Sequence, residues 1–225
     1  MARPLRLEVA GGVYHITCRG NAHQPIFLDD ADRRYFLKQV LAGVVKRYGW
    51  VCHAYCLMDN HFHLVIETPA PNLSSGMRQV NGVYAQMFNR RHGRVGHLTQ
   101  GRFSSVLIEK DSHLLEVSRY VVLNPVRAGV VDLPEKWMWS SYRAAIGLVE
   151  APGFLHTDWI LSQFGAERRT AVRRYREFVM DGISSCPRPW KEAVGGILLG
   201  SERFVSAMSN LLDAKRLERE LPVPQ

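Results

Sequence analysis

Apolar and polar positions recur along the chain with two periods, and the changes between them mark out elements. From Val13 to Arg19 the run VYHITCR is β-rich, opened by Gly11-Gly12 and closed by Gly20, and predicts a strand. Leu37, Leu41, Val44 and Tyr48 then fall at i, i+4, i+7 and i+11. That spacing makes one apolar stripe of a helix over 31–48, capped by Asp29 or Asp30 and ended by Gly49. Trp50–Leu57 predicts a second strand and His61–Thr68 a third, joined by a short turn at Asp59-Asn60, hence an antiparallel hairpin. Leu73, Met77, Val80, Tyr84 and Met87 repeat the helical spacing, and Asn89-Arg90-Arg91-His92-Gly93 forms the polar end. Arg102–Glu109 predicts a fourth strand. Ser112 can cap a third helix running from His113 to about Asn124, stopped by Pro125.

The order β-α-β-β-α-β followed by a helix predicts an α+β chain with a ferredoxin-like antiparallel sheet, its helices packed on one face and its first and third strands central neighbours. Beyond Pro134, Trp137 and Trp139 precede a short helix that Ser140-Ser141 can cap and that ends by Gly147. Residues 150–156 read as loop. Three further amphipathic patterns occupy 157–164, 167–181 and 201–219. We therefore expect a folded unit over 1–147 and a helical C-terminal extension over 148–225.

Charge narrows the class. The net charge of +8 makes a polyanion the first partner to consider. No acidic residue lies between Glu67 and Glu109, a gap holding Arg78, Arg90, Arg91, Arg94 and Arg102. Such a window suits a phosphate backbone, so Arg90, Arg91, Arg94, Gln100 and Arg102 are candidate DNA contacts. Cys18, Cys52, Cys56 and Cys186 form no CxxC pair; they read as small buried hydrophobes in a reducing, cytoplasmic setting. Cys52 and Cys56 can share a strand face. No stretch is long and apolar enough to span a bilayer, and the first residues lack a signal-peptide core.

The chemistry concentrates in Leu57 to Thr68, LMDNHFHLVIET. Side chains two apart on a strand share a face, so His61, His63 and Val65 point one way and Phe62, Leu64 and Ile66 the other. Two imidazoles about 7 Å apart along the backbone can converge on one divalent ion. On the third helix, His113, Glu116, Tyr120 and Asn124 fall at i, i+3, i+7 and i+11 as one polar stripe beside Leu114, Val117 and Val121. A tyrosine and an amide one turn apart, facing a His-x-His strand, suggest a nucleophile and a third ligand. Imidazole and amide oxygen suit Mg²⁺ or Mn²⁺. A phenol is a poor nucleophile at neutral pH, and a phosphodiester repels nucleophiles; a metal on a non-bridging oxygen relieves that repulsion. Attack by the phenol would leave a phosphotyrosine that stores the cleaved bond for strand transfer without ATP.

The residues also resemble a family. HFHLV is similar to the HUH signature (His, hydrophobic, His) of single-tyrosine transposases and rolling-circle nucleases. GGVYHITCRGN, LMDNHFHLV, GHLTQGRF, SRYVVLNPVRAGVV and WSSYRA, in this order over about residues 3–147, resemble the REP-associated tyrosine transposases, relatives of bacterial insertion-sequence transposases. The resemblance implies an HUH-type ferredoxin-like fold, a divalent metal, cleavage of single-stranded DNA at hairpin-forming repeats and a 5′-phosphotyrosine intermediate. It implies His61 and His63 as metal ligands, Tyr120 as nucleophile and Asn124 as the polar third ligand. Two departures stand out. Asp59 replaces a common proline and reads as a turn residue, and Thr99 replaces a common aromatic. His15, on the first strand, can neighbour the histidine pair, or serve as a hydrogen-bonded sheet residue.

The sequence thus predicts a metal-dependent tyrosine DNA transposase or single-strand endonuclease in a bacterial cytoplasm. Its expected partner is single-stranded or hairpin DNA, with no membrane partner, as a monomer or a homodimer that can exchange the tyrosine helix. The rivals are an HUH replication or relaxase-type nickase and a nucleic-acid-binding protein that does not cleave.

Overall fold

The computed structural model of the chain describes residues 6–185 and 189–220. Cys186 lies outside them. Four strands form an antiparallel sheet: β1 (Gly12–Arg19), β2 (Val51–Leu57), β3 (His61–Thr68) and β4 (Ser104–Ile108). A two-residue strand, β5 (Leu198–Leu199), joins its edge, giving the order β2-β3-β1-β4-β5. The βαββαβ order and the central β1–β3 pair match the sequence reading. The expected helical extension, however, also supplies a strand, with Leu198 and Leu199 paired in parallel to Leu107 and Ile108.

Two long helices cover one face. α1 runs continuously through Asp30–Tyr35, a π-helical turn at Phe36–Leu41, and Ala42–Tyr48. Its N-cap is Asp29, whose side chain accepts from Asp32 N, and Gly49 ends it at φ 65°. α2 (Leu73–His92) ends likewise in Gly93 at φ 60°. Phe36, Val40, Leu41 and Val44 of α1 and Met77, Val80, Tyr84 and Phe88 of α2 pack on Tyr14, Ile16, Phe62, Leu64 and Ile66 in the main core. Burying this many large side chains removes the amphipathic faces from water and dominates stability.

The opposite face carries α3 (Lys110–Val122), so the helices do not all lie on one side of the sheet. Leu114, Val117 and Val121 of α3 pack on Val13, Ala54, Cys56, Val65, Val106 and Ile108. The reason lies in the strands. Both faces of β1 and β3 carry apolar residues, so both must be covered. α3 starts three residues before the expected His113, with Glu109 in the extended N-cap position; the Glu109 carboxylate accepts from Ser112 Oγ and Ser201 N. It stops at Val122, before Asn124, and a short turn α4 (Asn124–Arg127) follows.

Beyond it lie α5 (Tyr142–Ala145), α6 (Asp158–Ser162), α7 (Arg168–Ser185) and α8 (Glu202–Glu220). Tyr175 and Val179 of α7 share a core with Val122, Leu123 and Tyr142. The approach of α7 to α3 is close enough that a Cβ at Gly182 would stand 2.8 Å from Arg119 Cδ. A β-bulge between Cys52 and Ala54 shifts the β2 register. It places Cys52 in the core under α1 and α2 and Cys56 in the core under α3, so the two do not share a face. Both are free thiols, as is Cys18, and burial raises all three; Cys18 reaches about 11 and Cys52 about 12.

Candidate metal and nucleophile site

The site forms where β1, β3 and α3 meet. Antiparallel pairing sets Thr17 opposite His63 and Arg19 opposite His61, with His15 opposite Val65. His15 is therefore the diagonal neighbour of His63 on the α3 face of the sheet. The His61 and His63 rings lie 5.0 Å apart between centroids. Phe62, Leu64 and Ile66 enter the opposite core, as the alternation required.

Each imidazole has a defined hydrogen-bonding environment. Asn60 Nδ2 donates to His23 O at 3.1 Å, which turns Asn60 Oδ1 toward His61 Nδ1, 2.7 Å away. An amide oxygen can only accept, so His61 carries its proton on Nδ1 and keeps a lone pair on Nε2. His63 Nδ1 lies 2.9 Å from His15 Nε2 and 3.2 Å from Thr17 Oγ1. His63 Nε2 is buried with no hydrogen-bond partner. A buried polar atom left without a partner is costly, and a bound cation is one way to satisfy it. Burial, reinforced by the other histidines and Arg19, holds His63 well below the ordinary imidazole value, and burial holds His61 at about 4. Both rings are neutral at pH 7, the form that ligates.

Tyr120, half-buried on α3, completes the group. Its ring stands 6.1 Å from that of His63 and 6.3 Å from that of His15, edge to face in both cases. The Arg127 guanidinium lies 4.9 Å over the same phenol ring. Asn124, four residues on, donates Nδ2 to Tyr120 O at 2.9 Å, so its amide closes the last turn of α3 through nitrogen while oxygen is the atom that would ligate. Among the described residues no three His, Cys, Asp or Glu side chains gather in a metal-holding arrangement. The candidate set is two imidazoles and an amide; the free Nε2 of His61 and the unpartnered Nε2 of His63 are the donor atoms that would suit a divalent cation.

The other expected residues separate. Arg91 ion-pairs with Asp29 and with buried Asp32, and His92 bonds the same Asp32. The acid-free window thus receives its acids from the start of α1. Arg94 donates to Gln24 Oε1 at 2.7 Å. Arg90, Gln100 and Arg102 are exposed. Arg102 and Thr99 border an open cleft of about 360 Å³ with Arg6 and Arg78. Asp59, in the turn between β2 and β3, pairs with Arg33 of α1. Glu116 pairs with Arg119 rather than facing the histidines.

Three participants were not singled out from the sequence: Arg127, over the Tyr120 ring, Thr17 and Trp190. Thr17 shares the His63 contact. Trp190, on a short 3₁₀ turn at Pro189–Glu192, stacks on His15 with ring centroids 3.9 Å apart at 13° and meets Tyr120 edge to face at 5.2 Å. A period-2 pattern can propose Thr17, but no local pattern reports Trp190, whose position follows from how the last third of the chain folds back.

The model of the family described as "Transposase IS200 like" matches residues 8–124, more than half of the chain. A curated protein of Haemophilus influenzae described as a REP-associated tyrosine transposase is 23% identical over 143 residues, 59% of this chain and 80% of that protein. A solved structure of a REP-associated tyrosine transposase bound to a REP hairpin superposes with a TM-score of 0.56 at 20% identity, covering 71% of this chain and 91% of the other. That likeness shows a shared fold.

Proposed function

Since the chain belongs to the IS200-like transposase family, we propose that it nicks single-stranded DNA at hairpin-forming repeats and rejoins strands through Tyr120. The observation that carries this reading is the Tyr120 ring standing edge to face 6.1 Å from that of His63, a neutral imidazole of the His-x-His pair whose Nε2 is orphaned. The similar solved protein is bound to a REP hairpin, which supports a hairpin substrate of the same class.

In this reading His61 and His63, with Asn124, would hold a divalent metal, Mg²⁺ or Mn²⁺, which would supply charge neutralisation at the scissile phosphate. Tyr120 Oη attacks phosphorus in line with the departing O3′. One P–O bond forms and one breaks; the phenol gives up its proton and the leaving 3′-oxygen takes one up. The product is a 5′-phosphotyrosine and a free 3′-hydroxyl. Reversal with a second strand's 3′-hydroxyl reseals the chain, so no nucleotide hydrolysis is required. Arg127 places a cation beside the phenol ring, where it favours the developing phenolate. Trp190 and His15 limit the freedom of the phenol by their edge-to-face contacts.

Tyr120 faces the histidines of its own chain, which supports cleavage without exchange of α3 between two copies. The DNA backbone is held by Arg90, Arg94, Gln100 and Arg102. Arg91 serves instead to tie α2 to the start of α1, because its guanidinium is already engaged by two carboxylates. The extension over 148–225 then acts as part of the nicking unit.

The test is a cleavage assay on an end-labelled, single-stranded hairpin oligonucleotide with Mg²⁺ or Mn²⁺. The wild type should release a free 3′-hydroxyl fragment and retain the 5′ side on protein. Tyr120→Phe should bind the hairpin with unchanged affinity and cleave none. A Tyr120→Phe protein that cleaves at the wild-type rate would remove the nucleophile assignment. A wild type that binds without cleaving under either metal would favour a binding protein.

A further inference from the structure

His63 does not stand alone behind its metal-facing edge. Its Nδ1 is 2.9 Å from His15 Nε2, and His15 in turn lies flat against the Trp190 indole, 3.9 Å away at 13°. Two proton placements satisfy the His15–His63 contact. If His15 donates, His63 must carry its own proton on Nε2, and that N–H is buried with no acceptor. If His63 donates from Nδ1, its buried Nε2 keeps a lone pair that no protein donor uses. The first placement strands a donor and blocks ligation; the second leaves an acceptor where a cation can sit. Thr17 Oγ1, 3.2 Å from His63 Nδ1, accepts from the same N–H in the second placement.

We propose that His15 is a positioning residue that fixes the ligating tautomer of His63, and that Trp190 holds His15 in the plane required, so that the C-terminal part of the chain governs metal binding at the β1–β3 centre. The proposal rests on His63 being a ligand, as read above. It is specific to this chain's layout: β5 returns the chain to the sheet edge beside β4, and the 3₁₀ turn before it carries Trp190 over β1. Ring-on-ring contact restricts His15 rotation, and an aromatic at 190 suffices for that restriction. Outer hydrogen-bond partners of ligating histidines commonly control affinity by about 10–100-fold.

Long-range ¹H–¹⁵N correlation on the ¹⁵N-histidine-labelled full chain without metal reads the tautomer of each imidazole. Titration with Mn²⁺, followed by calorimetry, reads affinity. The wild type should show His63 as a single Nδ1–H tautomer. His15→Phe should give mixed His63 tautomers and weaken Mn²⁺ binding by about tenfold or more. His15→Gln, which restores an acceptor, should recover most of the loss. Trp190→Ala should weaken binding severalfold, and Trp190→Phe should leave it near wild type. Thermal melts accompany each variant, and if His15→Phe does not fold, His15→Gln and Trp190→Ala carry the decision. An unchanged His63 tautomer and Mn²⁺ affinity in His15→Phe, or in Trp190→Ala, overturns the proposal. A wild type with the expected tautomer and no Mn²⁺ binding would instead refute the metal reading while upholding the His15 contact.

Discussion

Acidification should cost the metal-free protein stability well above the range in which carboxylates titrate. An unfolded chain takes up a proton on each imidazole near pH 6.5. In the fold, burial holds His15 at about 3 and His61 at about 4, and burial with neighbouring charge holds His63 well below 6.5. All three values are depressed, so their stability contribution is complete above pH 6.5 and is lost as pH falls toward the folded values. Between pH 7.5 and 5.5 each such imidazole costs up to about 1.4 kcal/mol, because the unfolded state binds nearly one more proton at the lower end. Three together set an upper bound of about 4 kcal/mol; the partial exposure of His61 brings the expected loss to about 3 kcal/mol. Urea unfolding in chelator at pH 7.5, 6.5 and 5.5 measures this directly. His63→Asn removes one titrating ring and should reduce the loss by about 1 kcal/mol. His53, also lowered by burial against the pull of Glu67, is present in both proteins and cancels in the comparison. A wild-type stability that stays flat from pH 7.5 to 5.5, or a slope unaffected by His63→Asn, would refute the claim that the fold keeps these rings neutral.

Other expectations are shorter. Arg127→Ala should slow cleavage about tenfold while changing hairpin affinity little, since the guanidinium stands over the phenol ring; equal loss in binding and cleavage would make it a DNA contact instead. Chelation should abolish cleavage and leave hairpin binding in a gel-shift assay intact; cleavage surviving in chelator would contradict a metal role. Gly76→Ala should lower stability by about 2 kcal/mol, because a Cβ there would stand 2.1 Å from the Trp50 ring, which is fixed by its Nε1 donating to Asn72 Oδ1; an unchanged urea midpoint would show that the ring can retreat. Hairpin affinity should fall steeply with salt, and Arg102→Ala should lessen that slope while Arg91→Ala, paired internally, should change stability more than slope.

The central sheet was legible because its signals are local. Alternation across His61 to Ile66 set which face each side chain takes, and the cores bear this out for Phe62, Leu64, Ile66 and Val65. The β-bulge at Cys52 and the π turn at Phe36–Leu41 were not legible, since each is one residue out of phase in an otherwise regular pattern. β5 was missed because two leucines flanked by Gly195, Gly196 and Gly200 carry no period at all. The polar stripe read through Tyr120 and Asn124 runs past the end of α3 at Val122, and Asn124 Nδ2 donates back to Tyr120 O from the following turn. The same stripe included Glu116, which pairs along its own helix with Arg119 instead. The acid-free window misled in one respect: sequence distance concealed Asp29 and Asp32, which the fold returns to Arg91. No helix among the described residues is long and apolar enough to cross a membrane.

The most direct measurement is the site of covalent attachment. A single-stranded hairpin substrate that traps the 5′ intermediate, incubated with Mn²⁺ and digested with protease and nuclease, yields a nucleotide-modified peptide for mass spectrometry. One adduct is expected, on the peptide containing Tyr120 and on its phenol oxygen. An adduct on any other residue, or an equal yield of adduct from Tyr120→Phe, would contradict the assignment of Tyr120 as the nucleophile.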